Sequence, residues 1–412
     1  MQDFDLIIAG AGIVGTSAAL MARMEGMSVL LCDGETPGSG TVSGSACTIA
    51  TYANVPINSP SIFAALPTLL TSADSPLTFN WKYGLQNPRW MLSFLRNCRS
   101  AKVEEIAANL GRLLAKADES IDALTAESGA EDLFVQNDCL YIWSTKAGFD
   151  AARAGNEMRK KAGVTFDELT EEEVRTLEPA IQGPVHGGLQ YKGARHVLDP
   201  QALTLRYHAR YLALGGAWAQ SSMTQVQPDA TGVTVTLADG TQVRGKRCVI
   251  AAGAHSTRIR GTGAERLPLG VERGYNILYP QSSALTSRPV GWAEAGFYAT
   301  PMAQGLRIAG TVEIASLYAP FNSRNTDYLH RKSKEMFAPL GAPDKPWLGY
   351  RPTMPDALPV IGFSPTSDNV ILAFGHQHIG LTLGPLTGRI VADLALGKKP
   401  NIDIAAFSPK RF

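Results

Sequence analysis

The sequence has few cysteines, no surplus of either charge and no long unbroken apolar run, and each lack narrows the function. Its five cysteines, Cys32, Cys47, Cys98, Cys139 and Cys248, are scattered, odd in number and form no Cys-x-x-Cys pair. That pattern argues against a disulfide framework or a zinc site, reads each cysteine as a small core residue, and suits a reducing compartment. Lys plus Arg number 38 against 37 Asp plus Glu, a net charge of +1 over 412 residues. No global electrostatic footprint for nucleic acid follows from that balance. Charged residues make up 18%, below the roughly 25% that is usual. The most apolar early stretch, residues 13–31, is broken by Arg23, Glu25 and Gly26, so it does not read as a membrane span. The first residues carry no basic segment followed by an apolar one, so no secretory leader is expected. The expected location is cytoplasmic, with peripheral contact on the inner face of the cell membrane left open. Without repeats, low-complexity tracts or an obvious linker, the two or three domains this length predicts are expected to be interleaved.

What is plentiful is glycine, 40 residues, about one in ten where about 7% is usual. The surrounding pattern is mixed α/β. Residues 4–9, 27–31 and 247–252 read as buried strands, and residues 13–24 as a helix. Leu110, Leu113, Leu114, Ala117, Ile121 and Leu124 recur at helical period, which predicts one long helix over 103–127. Thr170 and Glu173 have capping-box spacing, and alternating residues on either side of Asp239-Gly240 predict a hairpin.

Gly10, Gly12 and Gly15 form a Gly-x-Gly-x-x-Gly loop, with Ile13 and Val14 between the last two. The loop follows a predicted strand, opens a predicted helix and precedes a second strand ending at Asp33. The first glycine permits the tight turn, the second lets backbone approach a pyrophosphate, and the third lets helix pack on strand. The helix start supplies N–H groups for the anion, and Asp33 stands where ribose hydroxyls are bound. The alternative is a glycine-rich turn without a ligand. The fingerprint alone does not separate NAD from FAD. Three features favour FAD: the motif at the start of the chain, the following Gly38-Ser39-Gly40-Thr41, and the strand leading into Ala252 and Gly253.

With these motifs on the page, the sequence resembles the D-amino-acid oxidase superfamily of FAD enzymes, and within it bacterial D-amino-acid and D-hydroxyproline dehydrogenases. Residues 88–95, 267–275 and 305–313 match segments of that group. The more specific matches are 349–362, which contains Arg351-Pro352, and 374–382, which contains Gly375-His376-Gln377-His378-Ile379-Gly380-Leu381-Thr382. The resemblance implies an FAD-binding Rossmann-like α/β domain interleaved with an α+β substrate domain built on an antiparallel sheet. The expected division is 1–75, 190–265 and 346–412 for FAD, and 76–189 and 266–345 for substrate.

It further implies that the 375–382 loop lies beside the flavin ring. Thr382 would meet the ring's carbonyl edge, and the backbone carbonyl at His378 would accept from a substrate amine. Arg351 would pair with the substrate carboxylate, for which a guanidinium offers two parallel hydrogen bonds; the alternative is an ordinary ion pair. Tyr275 would be a second carboxylate or lid contact, or else a core tyrosine. His376 and His378 complete the catalytic candidates, although two histidines two apart could also be half of a metal site. The FAD-binding set is Gly10, Gly12, Ile13, Val14, Gly15, Asp33, Gly34, Ser39, Gly40, Thr41, Ser45, Ala46, Val226, Ala252, Gly253, Gly375, His376, Gly380, Leu381 and Thr382. Non-covalent FAD is expected.

The sequence departs from the family pattern at Ser45-Ala46-Cys47, at Asn276 and at Gln377, positions that would border flavin or substrate. The expected reaction is oxidation of the Cα–N bond of a D-amino acid or cyclic imino acid by hydride transfer to flavin. Oxygen, a quinone or a carrier protein is the acceptor, and oligomeric state is open. The alternatives are oxidation of a secondary or N-methyl amine, an FAD-binding subunit of a heteromeric dehydrogenase, and an NAD enzyme.

Overall fold

The computed structural model describes residues 3–58, 60 and 74–412. The first elements form where the apolar pattern places them: strand Asp3–Ala9, helix Ile13–Met24 and strand Val29–Cys32. Leu6, Ile7 and Ile8 are wholly buried, as a parallel strand covered on both faces requires.

These strands belong to an eight-stranded sheet. Ala217–Ala219, Val29–Cys32, Asp3–Ala9 and Gln242–Ile250 lie side by side, all parallel. The end of Gln242–Ile250 also takes Val370–Phe374 as a parallel neighbour. Its beginning forms the expected hairpin with Val233–Leu237, turning at Gly240 with φ +87°. The C-terminal helix Gly380–Ala395 crosses Ile13–Met24 closely. A Cβ on Gly388 would stand 2.7 Å from the Ser17 backbone, so only glycine lets the two helices meet there.

A nine-stranded, mainly antiparallel sheet carries the rest. Its order begins Trp347–Thr353, Gly270–Tyr279, Gly305–Ile314, Phe297–Met302, Val290–Trp292, Cys139–Trp143. Register decides what each face displays. Glu272 lies opposite Arg351, Gly274 opposite Gly349, and Asn276 opposite Trp347. These residues therefore share one face. Arg273, Tyr275, Ile277 and Tyr279 point to the other, where Tyr275, Ile277 and Tyr279 share a core with Tyr328 and Leu329 of helix Ser323–Met336.

Two expectations need correction. The long helix is two helices, Ser100–Leu114 and Ala117–Ser128, separated where Lys116 leaves helical geometry at φ −107°, ψ 1°. The apolar spacing still brought Leu110, Leu114, Ile121 and Leu124 into one core; periodicity does not register a break that preserves the buried face. Secondly, Trp347–Thr353, grouped above with the FAD segments, pairs with Gly270–Tyr279 in the nine-stranded sheet. Gly187–Tyr191 likewise runs across the expected boundary at 189/190. Among the described residues, no helix is long and apolar enough to cross a membrane.

Candidate active site

The carboxyl ends of the parallel strands gather the predicted cofactor residues. Gly10 follows Ala9, Asp33 follows Cys32, Ala252 and Gly253 come just after Ile250, and Gly375 follows Phe374. Ligands of open α/β sheets bind at this edge. Gly10 has φ +101°, and a Cβ on Gly15 would fall 1.9 Å from the Gly10 carbonyl oxygen. These two glycines serve the turn and its packing. Gly12 differs, for a Cβ there would meet nothing within 4 Å. The same is true of Gly40 and Gly253, so three of the predicted loop positions keep bare backbone against open space. Gly12 caps Ile13–Met24 without a side-chain hydrogen bond, which leaves the first-turn N–H groups of Ile13 and Val14 for an anion.

Asp33 accepts from the Ala11 N–H at 2.7 Å and from the Glu35 N–H at 3.1 Å. Those bonds fix the carboxylate beside the loop, with lone pairs to spare for hydroxyls. Gly34 is exposed and abuts Ser222. Ser39 donates to the Thr36 carbonyl at 2.8 Å, and Thr41 to the Tyr350 carbonyl at 2.8 Å. Thr41 thereby ties the loop to the strand bearing Arg351. Val226 lies elsewhere in character: its N–H is bonded to the Arg260 carbonyl at 2.8 Å and its side chain is core. Neither is available to a cofactor.

At the other end, helix Gly380–Ala395 also begins without a side-chain cap. Gly380 and Leu381 start it. The Thr382 hydroxyl accepts from the Ala50 N–H at 2.9 Å, and its own proton remains free to donate. Ala46 accepts from Thr300 at 2.8 Å, and Ser45 from the Cys47 N–H at 3.3 Å. Cys47 adopts φ +64°, the left-handed region that glycine occupies most readily, at one of the positions that depart from the family pattern. Burial raises the Cys47 thiol pKa, with Arg307 opposing, so the group is a protonated thiol. Bare loops, two uncapped helix starts and a carboxylate after the second strand fit FAD.

Arg351 is half-buried, and its Nη1 donates to the Thr311 carbonyl at 2.9 Å. Its guanidinium crosses Gly274, where a Cβ would stand 2.4 Å from Nη2. Glu272 lies beside it in register, 4% exposed. Burial lowers the Arg351 pKa and raises that of Glu272, while each charge opposes the shift of the other. Trp347 fills space that Gly44 and Gly349 leave free, and Asn276 donates to the Gly44 carbonyl at 2.9 Å.

The two histidines part company. His376 is buried, with its ring nitrogen 2.9 Å from the Thr387 hydroxyl. Burial pushes its pKa down to about 4. That ring braces the loop against its helix, which corrects its expected catalytic role. His378 is exposed by surface area, yet burial and the Arg351 charge push it down to about 4. His378 is therefore a neutral imidazole close to Arg351.

Tyr275 is corrected more firmly. It is 1% exposed, donates to Glu313 Oε2 at 2.5 Å, and packs edge-on against Phe321. It sits on the far face of the sheet from Arg351. Glu272 and Trp347 were missed by sequence reasoning. Their period-two relation to Arg351 across the strand pair was the usable signal, and it required the register.

Three comparisons bear on this geometry. The family model "FAD dependent oxidoreductase" matches residues 5–394. A D-amino-acid oxidase of Bradyrhizobium diazoefficiens is 32% identical over 98% of both chains. Among solved structures, glycine oxidase from Geobacillus kaustophilus superposes with a TM-score of 0.76 at 20% identity over the whole of both chains. L-proline dehydrogenase from P. horikoshii gives 0.74 at 18% identity, covering 99% of this chain and 97% of the other. The structural likenesses show the same fold.

Proposed function

The chain belongs to the family of FAD-dependent oxidoreductases, an enzyme family that acts here on amino acids, and on that footing we propose a narrower reaction: oxidation of the Cα–N bond of a D-amino acid or a cyclic imino acid of the D-proline or D-hydroxyproline kind. The observation that carries the proposal is Arg351, a half-buried guanidinium with one backbone hydrogen bond, next to the 375–382 loop. FAD, when bound, supplies the two-electron acceptor for hydride leaving Cα.

Arg351 grips the carboxylate through two parallel hydrogen bonds. The backbone carbonyl at His378 accepts from the neutral amine. The His378 ring, uncharged beside Arg351, adds no second cation to compete with the amine. No side chain has to remove a proton from carbon, so the protein's task is orientation. The N–H groups at the uncapped Gly380 helix start and the Thr382 hydroxyl would hold FAD there and would favour negative charge on it. Peripheral contact with the membrane belongs to the same proposal.

An anaerobic titration of the purified holoenzyme with D-amino acids, hydroxyproline isomers and N-methylglycine tests it. Loss of flavin absorbance with a D-amino or cyclic imino acid is the expected result. Bleaching by N-methylglycine alone would move the enzyme to secondary amines. A yellow protein bleached by none of them would remove the catalytic reading.

A further inference from the structure

The helices Trp81–Gln86 and Pro88–Asn97 stand out from the neutral remainder of the chain. No residue of the second is buried. Trp81 is 63% exposed, Leu85 80% and Leu92 57%. Soluble surfaces do expose single leucines, but three large apolar side chains within twelve positions make a patch that calls for an explanation. Along the chain between Asp74 and Glu104 the charges are of one sign. Residues 75–103 contain five Lys or Arg, Lys82, Arg89, Arg96, Arg99 and Lys102, and no Asp or Glu. The whole chain, by contrast, has a net charge of +1. Among the described residues, Lys102 alone of these five forms an ion pair, with Glu105 at 2.6 Å.

The two kinds of residue are interleaved. Arg89, Leu92 and Arg96 are spaced i, i+3, i+7 on Pro88–Asn97, and all three are exposed. Helical neighbours at those spacings share one face, so Leu92 projects between two cations. Trp81 and Leu85 repeat the arrangement around Lys82. The opposite side anchors the helix to the active-site strand. Trp90 Nε1 donates to the Thr353 carbonyl at 3.3 Å, and its ring fills the space above Gly270. Asn97 Nδ2 donates to the Pro355 carbonyl at 3.3 Å.

We propose that this basic, apolar stripe docks the enzyme on the surface of an anionic phospholipid bilayer, with Trp81, Leu85 and Leu92 entering the headgroup region and Lys82, Arg89, Arg96 and Arg99 meeting the phosphates. The proposal gives residues to the membrane contact in the functional reading above and does not depend on the reaction. Exposed Trp and Leu set among Lys and Arg without acids are the chemistry of interfacial helices. An acidic protein partner would match the charges but not three apolar side chains presented singly between them. Docking here places the strand that carries Arg351 next to the membrane.

The test is sedimentation of the holoenzyme with vesicles of phosphatidylcholine, with and without phosphatidylglycerol. Binding only to the anionic vesicles is expected, with release as salt shortens the Debye length from about 10 Å at 0.1 M to about 3 Å at 1 M. Each cation near such a surface is worth roughly fivefold in affinity. Arg89→Glu with Arg96→Glu, a change of four charge units, should then cost about several hundredfold, and Leu85→Ala with Leu92→Ala should weaken binding without altering its salt dependence. Flavin content and turnover with a soluble dye should stay at the parent level in both. Wild-type protein left in the supernatant with anionic vesicles overturns the proposal, and so does binding that the double charge reversal leaves intact. Flavin bleaching by substrate is read separately, so failure here leaves the catalytic reading standing.

Discussion

Two arginines lie on neighbouring strands of one sheet and face opposite ways. Arg273 is wholly buried, pairs with Glu313 at 2.9 Å, and gives Nη2 to the carbonyls of Ala319 and Pro320 at 2.9 Å each. Glu313 is held further by Tyr275 and by Asn322 Nδ2 at 3.0 Å. Arg351 is half-buried, has one backbone carbonyl as partner, and faces Glu272 without forming an ion pair with it. The first cation is sealed in the core beside its carboxylate, and the donors it leaves without a hydrogen bond, Nε and Nη1, are buried with it. The second is left with donors to offer. Charge in a core says little about function until its partners are counted.

The sharpest break in that comparison comes from Arg351→Ala. Losing two charge-assisted hydrogen bonds should lower kcat/KM by about a thousandfold, roughly 4 kcal/mol, chiefly through KM. FAD content and thermal stability should stay near the parent values. Steady-state kinetics against the true substrate, with flavin absorbance as control, decides it; an unchanged KM would take Arg351 out of the carboxylate role. Arg273→Met should do the reverse. It strands the Glu313 carboxylate in the core, which costs about 3–5 kcal/mol of stability, while the folded fraction keeps its KM. Denaturant unfolding followed by kinetics on the surviving enzyme separates the two. A large KM change without loss of stability would show that the far face communicates with the substrate.

The same comparison shows what the sequence could and could not disclose. The phosphate loop was legible because Gly10, Gly12, Gly15 and Asp33 act within one short strand–turn–helix–strand unit. Arg351 and the 375–382 loop were legible through long, specific motifs. Tyr275 and Arg351 were grouped because both stand in matching segments, yet they point to opposite faces. That distinction depends on Glu272 pairing with Arg351 across strands nearly eighty positions apart in the chain, which no local pattern encodes. His376 and His378 were alike in sequence for a similar reason: the position of Thr387, about two turns along the next helix, sets one ring apart.

Those histidines carry the next prediction. His376 has a folded pKa near 4, against 6.5 for an ordinary imidazole. Between those values the unfolded chain binds a proton that the folded one refuses, so stability rises with pH across the window. The contribution is fully present above 6.5 and is lost as pH falls toward 4. For this buried ring it amounts to about 3 kcal/mol. In His376→Gln the acid loss between pH 6.5 and 4, read from denaturant midpoints, should shrink by about that much. An identical pH profile would mean that the ring already titrates as if solvated. His378, exposed and pushed down to about 4, should leave KM flat from about pH 5 to 8 with respect to this group.

The smallest effect should come from Tyr275→Phe, and it tests the comparison most directly because the substitution leaves the ring in place. The hydroxyl donates to Glu313, which keeps Arg273 and Asn322 as partners after its removal. A hydrogen bond to a charged group is worth about 1.5–3 kcal/mol, and with two partners remaining the lower end applies. The variant should unfold a few degrees earlier and show the parent KM and kcat. A carboxylate contact or lid would give the opposite signature, normal stability with a raised KM. The two outcomes do not overlap, since Tyr275 and Arg351 lie on opposite faces of the sheet. Tyr275→Phe combined with Arg351→Ala should then be additive, within the few tenths of a kcal/mol expected of independent sites.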